Sequence, residues 1–399
     1  MNPDANLVEE IRNTIAGELP SLEALYRHFH AHPELSGREE KTSERLEEEI
    51  SLAGFAPVRG IGGYGVVGVL SSGEGPVVMI RADMDALPVT EETGLSYASK
   101  VEAQTPDGSR GGVMHACGHD AHMAVMVGTG RLLQAFSHRW KGTVVLVGQP
   151  SEEVGNGAER MILDGLFEKF PRPDFALALH VGPDLPMGTI GYREGAFSAG
   201  SDSMDITLRG IGGHAAHPEK TKDPVILAAR TILALQTIVS RELPPLDLGI
   251  VTVASIHGGT THNAIPDHVN LQVNIRYFKK TVRDHIIDSI QRITRNLALS
   301  AGIPEDRMPV VRILPHSVPP LINDPSLTMR VVGALKRYLG DDHVLRIEAL
   351  TGSEDFGVFG LQEQKIPLCY FRVGTGTGDG AFLHNSRFSP PPADTIRQG

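Results

Sequence analysis

Cysteine is scarce: the 399 residues hold two, Cys117 and Cys369. Two thiols cannot build a disulfide framework, and usage this low fits a reducing compartment. Positive charge is also in deficit. With 37 Lys and Arg against 48 Asp and Glu, the formal net charge is -11. No basic stripe is left to neutralise a phosphate backbone, which argues against a nucleic-acid partner. No apolar run approaches the ~20 residues that a membrane helix needs. The opening stretch MNPDANLVEEIRN is acidic and has no apolar signal segment. These absences together lead us to expect a cytoplasmic protein with no membrane contact. Internal repeats and low-complexity segments are missing too.

What is present suits a globular enzyme. The chain is long for one core, so two domains are expected. Its hydrophobic content of 41% is ordinary. A helical pattern in SLEALYRHFHAHPEL stops before Pro33, and KTSERLEEEISLAGF is a second amphipathic helix. Short unbroken apolar runs follow: GVVGVL, VVMI, TVVLV and FALAL. Runs of this kind read as strands buried on both faces of a mostly parallel sheet, with helices on both faces. We therefore expect an α/β catalytic domain.

Three of these runs end in chemistry. VVMI is followed by Arg81, Asp83 and Asp85, TVVLV by GQPSEE with Glu152 and Glu153, and FALAL directly by His180. Open α/β sheets bind ligands beyond the carboxyl ends of their strands. Between two of the runs lies GVMHACGHDAHM. Cys117 and His119 are two apart, so in an extended segment they point the same way. A thiolate with an imidazole suits zinc, and also cobalt or nickel. A buried thiol beside a capping histidine is the bland alternative. Asp120 is read as a helix N-cap or as a support behind the ligands, and His115 and His122 as structural or supporting. Glu152 and Glu153 are neighbours and must face different ways. One can bind metal while the other serves as a general base. Asp85 is expected to orient a ligating histidine through its far nitrogen. His384, in FLHNS, follows the last apolar strand and can complete a second metal.

A second unit is expected over 197–314, inserted into a domain formed by 1–196 and 315–399. Its order of elements is the β-α-β-β-α-β of a ferredoxin-like fold. In it, GIGGHAAHP presents His214, HGGTTHNAIPD presents Asn263, and Arg276 interrupts an apolar strand. A buried Arg implies an anion, either a structural partner or a substrate carboxylate held by the guanidinium fork.

HAHPEL, RADMDALPV, GVMHACGHDAH, GQPSEE, ALH, GGHAAHP, GGTTHNAIPD, GSEDF and LHNS occur in that order. Over nearly its whole length the chain thereby resembles the dinuclear-metal amidohydrolases that include aminoacylase and carboxypeptidase G. Within them it is similar to the branch of hippurate hydrolase and the indole-acetyl-amino-acid hydrolases. The resemblance implies hydrolysis of an N-acyl amino acid to a carboxylic acid and a free amino acid. It implies two divalent ions (zinc, manganese, cobalt or nickel) on Cys117, His119, Glu153, His180 and His384, with His119 between them. Glu152 becomes the general base and Asp85 the orienter of His119. His214 and Asn263 hold the substrate or its oxyanion, Arg276 holds the amino-acid carboxylate, and Gly352 of GSEDF lines the substrate site. The inserted domain is implied to act as a lid and a dimerisation domain, His214 to reach a neighbouring subunit, and the assembly to be a homo-dimer or tetramer. Two departures stand out. Glu219 follows Pro218 where relatives often carry histidine, and the ending RFSPPPADTIRQG is short. Dipeptidase or carboxypeptidase action, N-acetyl-diaminopimelate deacetylation, and a metal-dependent binding protein without catalysis are the competing readings.

Overall fold

The structure is a computed structural model that describes residues 5–105, 108–315, 317–361, 365–378 and 380–399. The first four residues of the acidic opening stretch lie outside these. Along the chain come helices α1 (Ala5–Ala31) and α2 (Glu40–Leu52), then strands β1 (Ala56–Ile61), β2 (Gly65–Ser71) and β3 (Val77–Asp83). Next are α3 (His119–Ala135), β4 (Thr143–Gln149), α4 (Gly157–Leu163), β5 (Phe175–Pro186) and β6 (Ile190–Tyr192). The middle of the chain carries β7 (Gly200–Arg209), α5 (Pro224–Thr237), β8 (Gly249–His257), β9 (His268–Tyr277), α6 (Lys280–Ser300) and β10 (Val310–Ile313). The last part holds α7 (Pro325–Leu339), β11 (Val344–Arg346), β12 (Leu368–Gly376) and α8 (Pro392–Gln398).

Two compact units result. The first comprises 1–197, 322–349 and 355–399; the second comprises 198–321 and 350–354. The far boundary falls later than 314, because Val318 bridges Ser201 and keeps the chain on the second unit. Residues 350–354 return to that unit through the Ala199 N–H, which donates to Leu350 O at 2.9 Å and to Gly352 O at 3.1 Å.

The first unit is built on an eight-stranded sheet in the order β1-β2-β4-β3-β5-β12-β6-β11. Strands β4, β3, β5 and β12 run parallel, whereas β2 joins antiparallel to β4. One sheet face packs on α1, α2, α3 and α8 through a core that includes Leu25, Phe29, Leu46, Ile50, Ala82, Leu146 and Ile396. On the other, buried Arg81 lies 5.9 Å from the Phe356 ring centroid. Two sequence readings need correction. Helix α1 starts far ahead of Ser21 and runs through Pro20. Proline forfeits one backbone bond, but Leu19, Leu22 and Leu25 bury against the core on either side of it. Strand β5 is not buried on both faces. Phe175, Leu177 and Leu179 are half-exposed while Ala176 and Ala178 are buried, so FALAL is an alternating strand whose outer face is also apolar.

The second unit has β-α-β-β-α-β order and an antiparallel sheet β8-β9-β7-β10, the ferredoxin-like arrangement. Alternate residues of β7 and β9, among them Met204, Ile206, Leu271 and Val273, pack against Leu227 and Leu235 of α5 and Ile286 and Ile290 of α6. Helix α5 begins at Pro224 because the Asp223 side chain accepts the Val225 N–H at 2.8 Å. Together with its continuation to Glu242 it is a helix long and apolar enough by composition to cross a membrane, although Arg230 and Gln236 interrupt its apolar run. Its inward side is accounted for by that core.

Candidate metal centre

Because β3, β4 and β5 are parallel, their carboxyl ends lie along one sheet edge. The segment after β3 carries Asp85, the turn after β4 carries Glu152 and Glu153, and β5 itself carries His180. The turn 115–118 brings in Cys117 and opens α3. Gly118 is required there: its φ is +81°, and a Cβ would sit 2.6 Å from Val181 Cγ2. His384 is delivered by the segment after β12. It has a left-handed φ of +63°, and its N–H donates to Ala116 O at 2.7 Å.

The five expected ligands converge. Cys117 Sγ lies 3.3 Å from His180 Nε2 and 3.3 Å from His384 Nε2. Glu153 places Oε2 3.5 Å from His384 Nε2 and Oε1 3.8 Å from His119 Nε2. Two donor sets share the sulfur: Cys117, His119 and His180, and Cys117, Glu153 and His384, so the donor these two share is Cys117 and not the expected His119, whose Nδ1 is taken by Asp85 O. A further set joins His119 to Glu152 and Glu153. Among the described residues, buried His119 Nε2 and Glu153 Oε1 have no hydrogen-bond partner, as metal-facing atoms should. The donors fit divalent zinc, manganese, cobalt or nickel.

The electrostatics also call for cations. Burial, then Glu153, Glu152 and Asp83, push the Cys117 thiol up. Burial raises Glu153 to about 7 despite His119. Burial opposes charge on His119, but Asp83, Asp85 and Glu153 outweigh it and hold the imidazole up at about 10. Burial keeps His180 well below its ordinary value, so its ring is neutral. Its Nδ1–H donates to Val181 O at 2.8 Å, which leaves Nε2 as the electron-pair donor.

His122 belongs to a possible set with Asp83 and His119, yet both its nitrogens are taken. Nε2 accepts the Val181 N–H at 2.9 Å, and Nδ1–H donates to Asp83 Oδ1 at 2.6 Å. It supports the centre without ligating. Asp83 in turn binds buried Arg81 at 2.7 Å. His115 is buried with both ring nitrogens unpartnered among the described residues. Burial lowers it to about 4. Asp120 does not cap α3 from outside. It lies within the first turn and faces His30, whose Nδ1 is 2.7 Å away.

Asp85 departs in detail from the expected role. His119 Nδ1–H donates to the Asp85 backbone carbonyl at 2.8 Å, while the nearest carboxylate oxygen is 3.4 Å away. The carboxylate instead accepts the Glu152 N–H at 3.1 Å, the Glu153 N–H at 2.9 Å and the Ser36 hydroxyl at 2.6 Å. It orients the turn that carries both glutamates. Sequence reasoning gave no role to Glu39, His30 or Glu91. The first two stand in or beside HAHPEL, but nothing in that string marks them as buried.

In the second unit, His214 and Asn263 share a small hairpin, with the Ala215 N–H donating to Asn263 O at 3.1 Å. Both side chains are exposed. His214 Nδ1 accepts the Ala216 N–H at 3.0 Å, and Asn263 Oδ1 bonds the Thr261 hydroxyl. Arg276 is half-buried. It donates to Asn274 Oδ1 at 2.8 Å and Ser353 Oγ at 3.0 Å, with no carboxylate among its partners in the described residues. Gly352 is exposed, and a Cβ there would meet nothing within 4 Å.

Comparison with known proteins agrees with this chemistry. Residues 79–399 match Peptidase family M20/M25/M40. An N-acetylcysteine deacetylase of Bacillus subtilis is 34% identical over 355 residues, covering 88% of this chain and 87% of its own. An N-acetyldiaminopimelate deacetylase of Leuconostoc mesenteroides is 34% identical over 374 residues, or 92% of each chain. An IAA-amino acid hydrolase of Arabidopsis thaliana is 33% identical over 341 residues, 84% of this chain and 72% of its own. Among solved structures, a Bacillus subtilis protein described as a dinuclear metal binding peptidase of the M20 family superposes with TM-score 0.78 at 29% identity, covering 96% of each chain.

Proposed function

The chain belongs to peptidase family M20/M25/M40 and is a metal-dependent amidohydrolase; from that premise we propose that it splits the amide bond of N-acyl amino acids into a carboxylic acid and a free amino acid. The observation that carries this reading is the convergence of Cys117, His119, Glu153, His180 and His384, with Glu152 beside them. Two ions per chain are proposed, because two donor sets share one sulfur. When bound, such ions polarise the amide carbonyl and acidify water.

The chain's own groups do the rest. Glu152 takes the proton of the attacking water and returns it to the leaving nitrogen. Asp85 holds the amides of Glu152 and Glu153 and so fixes the turn from which both carboxylates project. His214 and Asn263 are proposed as donors to the oxyanion. Losing one such donor costs on the order of a hundredfold in rate. Arg276 is proposed to grip the substrate carboxylate, which is supported by a half-buried guanidinium that has only neutral partners. Gly352 lies next to Ser353, one of those partners, and its bare backbone leaves room for substrate.

A homo-oligomer is also proposed, a dimer or tetramer, supported by the exposed Ile226 and Leu233 on α5. A cytoplasmic location is supported by two free cysteines. The test is a hydrolysis panel on metal-reconstituted protein, with N-acetyl, N-benzoyl and indole-acetyl amino acids beside dipeptides. Turnover of the acylated amino acids is expected. Turnover of dipeptides alone would overturn the substrate assignment in favour of a peptidase.

A further inference from the structure

Ser151 is fully buried and adopts φ +58°, a left-handed backbone that a residue with a side chain rarely takes. It immediately precedes Glu152 and Glu153. Glycine would occupy this conformation freely, whereas serine must be held in it.

Arg160 Nη1 donates to the Ser151 hydroxyl at 3.3 Å and the Gly157 N–H to Ser151 O at 3.2 Å, but the group that takes the Ser151 amide is Glu39. Its Oε1 accepts the Ser151 N–H at 2.9 Å and lies 3.4 Å from the Ser151 hydroxyl. The same oxygen accepts the Gly37 N–H at 2.9 Å. Glu39 is 0% exposed, and its Oε2 has no hydrogen-bond partner among the described residues. Burying a carboxylate with one oxygen unmatched is costly, so its place beside Ser151 calls for a reason. The reason is visible in the next two residues, whose N–H groups are both taken by Asp85. Three successive amides of one turn are thus tied to two buried carboxylates.

We propose that Glu39 is a positioning residue: by gripping the Ser151 amide it locks the left-handed turn that presents Glu152 and Glu153 to the centre. This rests on the reading of Glu153 as a ligand and Glu152 as the base. Burial, then the charge of Asp85, raises Glu39 to about 7, so a neutral acceptor at this position is compatible with the fold.

The test compares Glu39→Gln, which keeps an acceptor, Glu39→Ala, which removes it, and the double variant Glu39→Ala with Ser151→Gly. Should Glu39→Ala fail to fold, Glu39→Met, similar in length and lacking an oxygen acceptor, replaces it in both. Zinc and manganese affinities are measured by calorimetric titration of the metal-free proteins, and kcat and KM on an N-acyl amino acid. Loss of the grip should lower metal affinity and kcat by about 10–100-fold while KM stays within about threefold. Glu39→Gln should remain within about threefold of wild type, and Ser151→Gly should recover about tenfold or more of the loss, because glycine needs no clamp at this φ. Wild-type metal affinity in Glu39→Ala, equal damage in Glu39→Gln, or no recovery from Ser151→Gly each overturns the proposal. The titrations need no substrate. A wild type that hydrolyses nothing in the panel sinks the functional reading, while the affinities still decide the clamp.

Discussion

Glu152 and Cys117 are proposed to carry separable parts of the chemistry, and single substitutions should separate them. Glu152→Gln keeps the shape of the side chain but not its basicity. It should retain both ions by elemental analysis and lose about 10²–10⁴-fold in kcat, the share that a positioned base supplies. Activity near wild type would remove Glu152 from that role. Cys117→Ser takes away the sulfur shared by two donor sets, and the protein should then lose bound metal on dialysis; unchanged metal content would remove Cys117 from the ligands. The convergence of these residues was legible in the sequence because each follows an apolar strand run or sits in a turn dense in Cys and His. Glu39 was not. It stands in REEKTSE, which reads as the solvated side of a helix, and only the packing of 36–39 against the turn at Ser151 buries it. His122 was legible as a supporting residue but not in its task, since its partner Val181 is 59 positions away.

Elements impose their own limits on the centre. The turn between β4 and α4 folds back so closely that a Cβ on Gly157 would overlap the Pro150 carbonyl oxygen. The Gly157 N–H also donates to Ser151 O at 3.2 Å. Gly157→Ala should therefore force the turn open, because the obstacle is backbone and cannot rotate away. A loss of about 1–3 kcal/mol in urea unfolding is expected, as for other overpacked sites, together with weaker metal binding by calorimetric titration. An unchanged unfolding midpoint with unchanged affinity would show that the turn yields without cost. The parallel strands were readable from their apolar runs, and so was the sheet edge where they release carboxylates. The alternation along β5 was hidden, because its half-exposed positions are Phe and Leu rather than polar residues. The reach of α1 back to Ala5 was hidden by Pro20, whose usual meaning is a break.

Across the molecule, the order of elements already marked one unit inserted into another, but the return of 350–354 left no trace in composition. It depends on a backbone bridge between Ser198 and Leu350. Stability of the first unit is also tied to a buried ionic cluster that ranges widely in sequence. His30 of α1 has Asp120 of α3 at 2.7 Å on one nitrogen and Glu91 at 3.0 Å on the other. Burial disfavours its charge, yet hydrogen bonds to Asp120 and Glu91 outweigh this and raise it from 6.5 to about 10. The folded chain therefore keeps a proton that the unfolded chain releases between those values. The stabilisation is complete below pH 6.5 and is lost as pH rises through about 10, at up to about 1.4 kcal/mol per pH unit. Asp120 and Glu91 titrate the other way. Both are lowered by His30 against the effect of burial, so their share is present above the ordinary carboxylate range and disappears as pH falls through their lowered values. His30→Gln leaves two buried carboxylates without their cation and should cost about 3–5 kcal/mol near pH 6. At equal metal loading, the gap between its unfolding curve and that of wild type should narrow steadily from pH 6.5 to about 9.5, as the alkaline loss removes what only wild type had. Parallel stability profiles over that range would mean that His30 is neutral in the fold and that the cluster is held by hydrogen bonds alone.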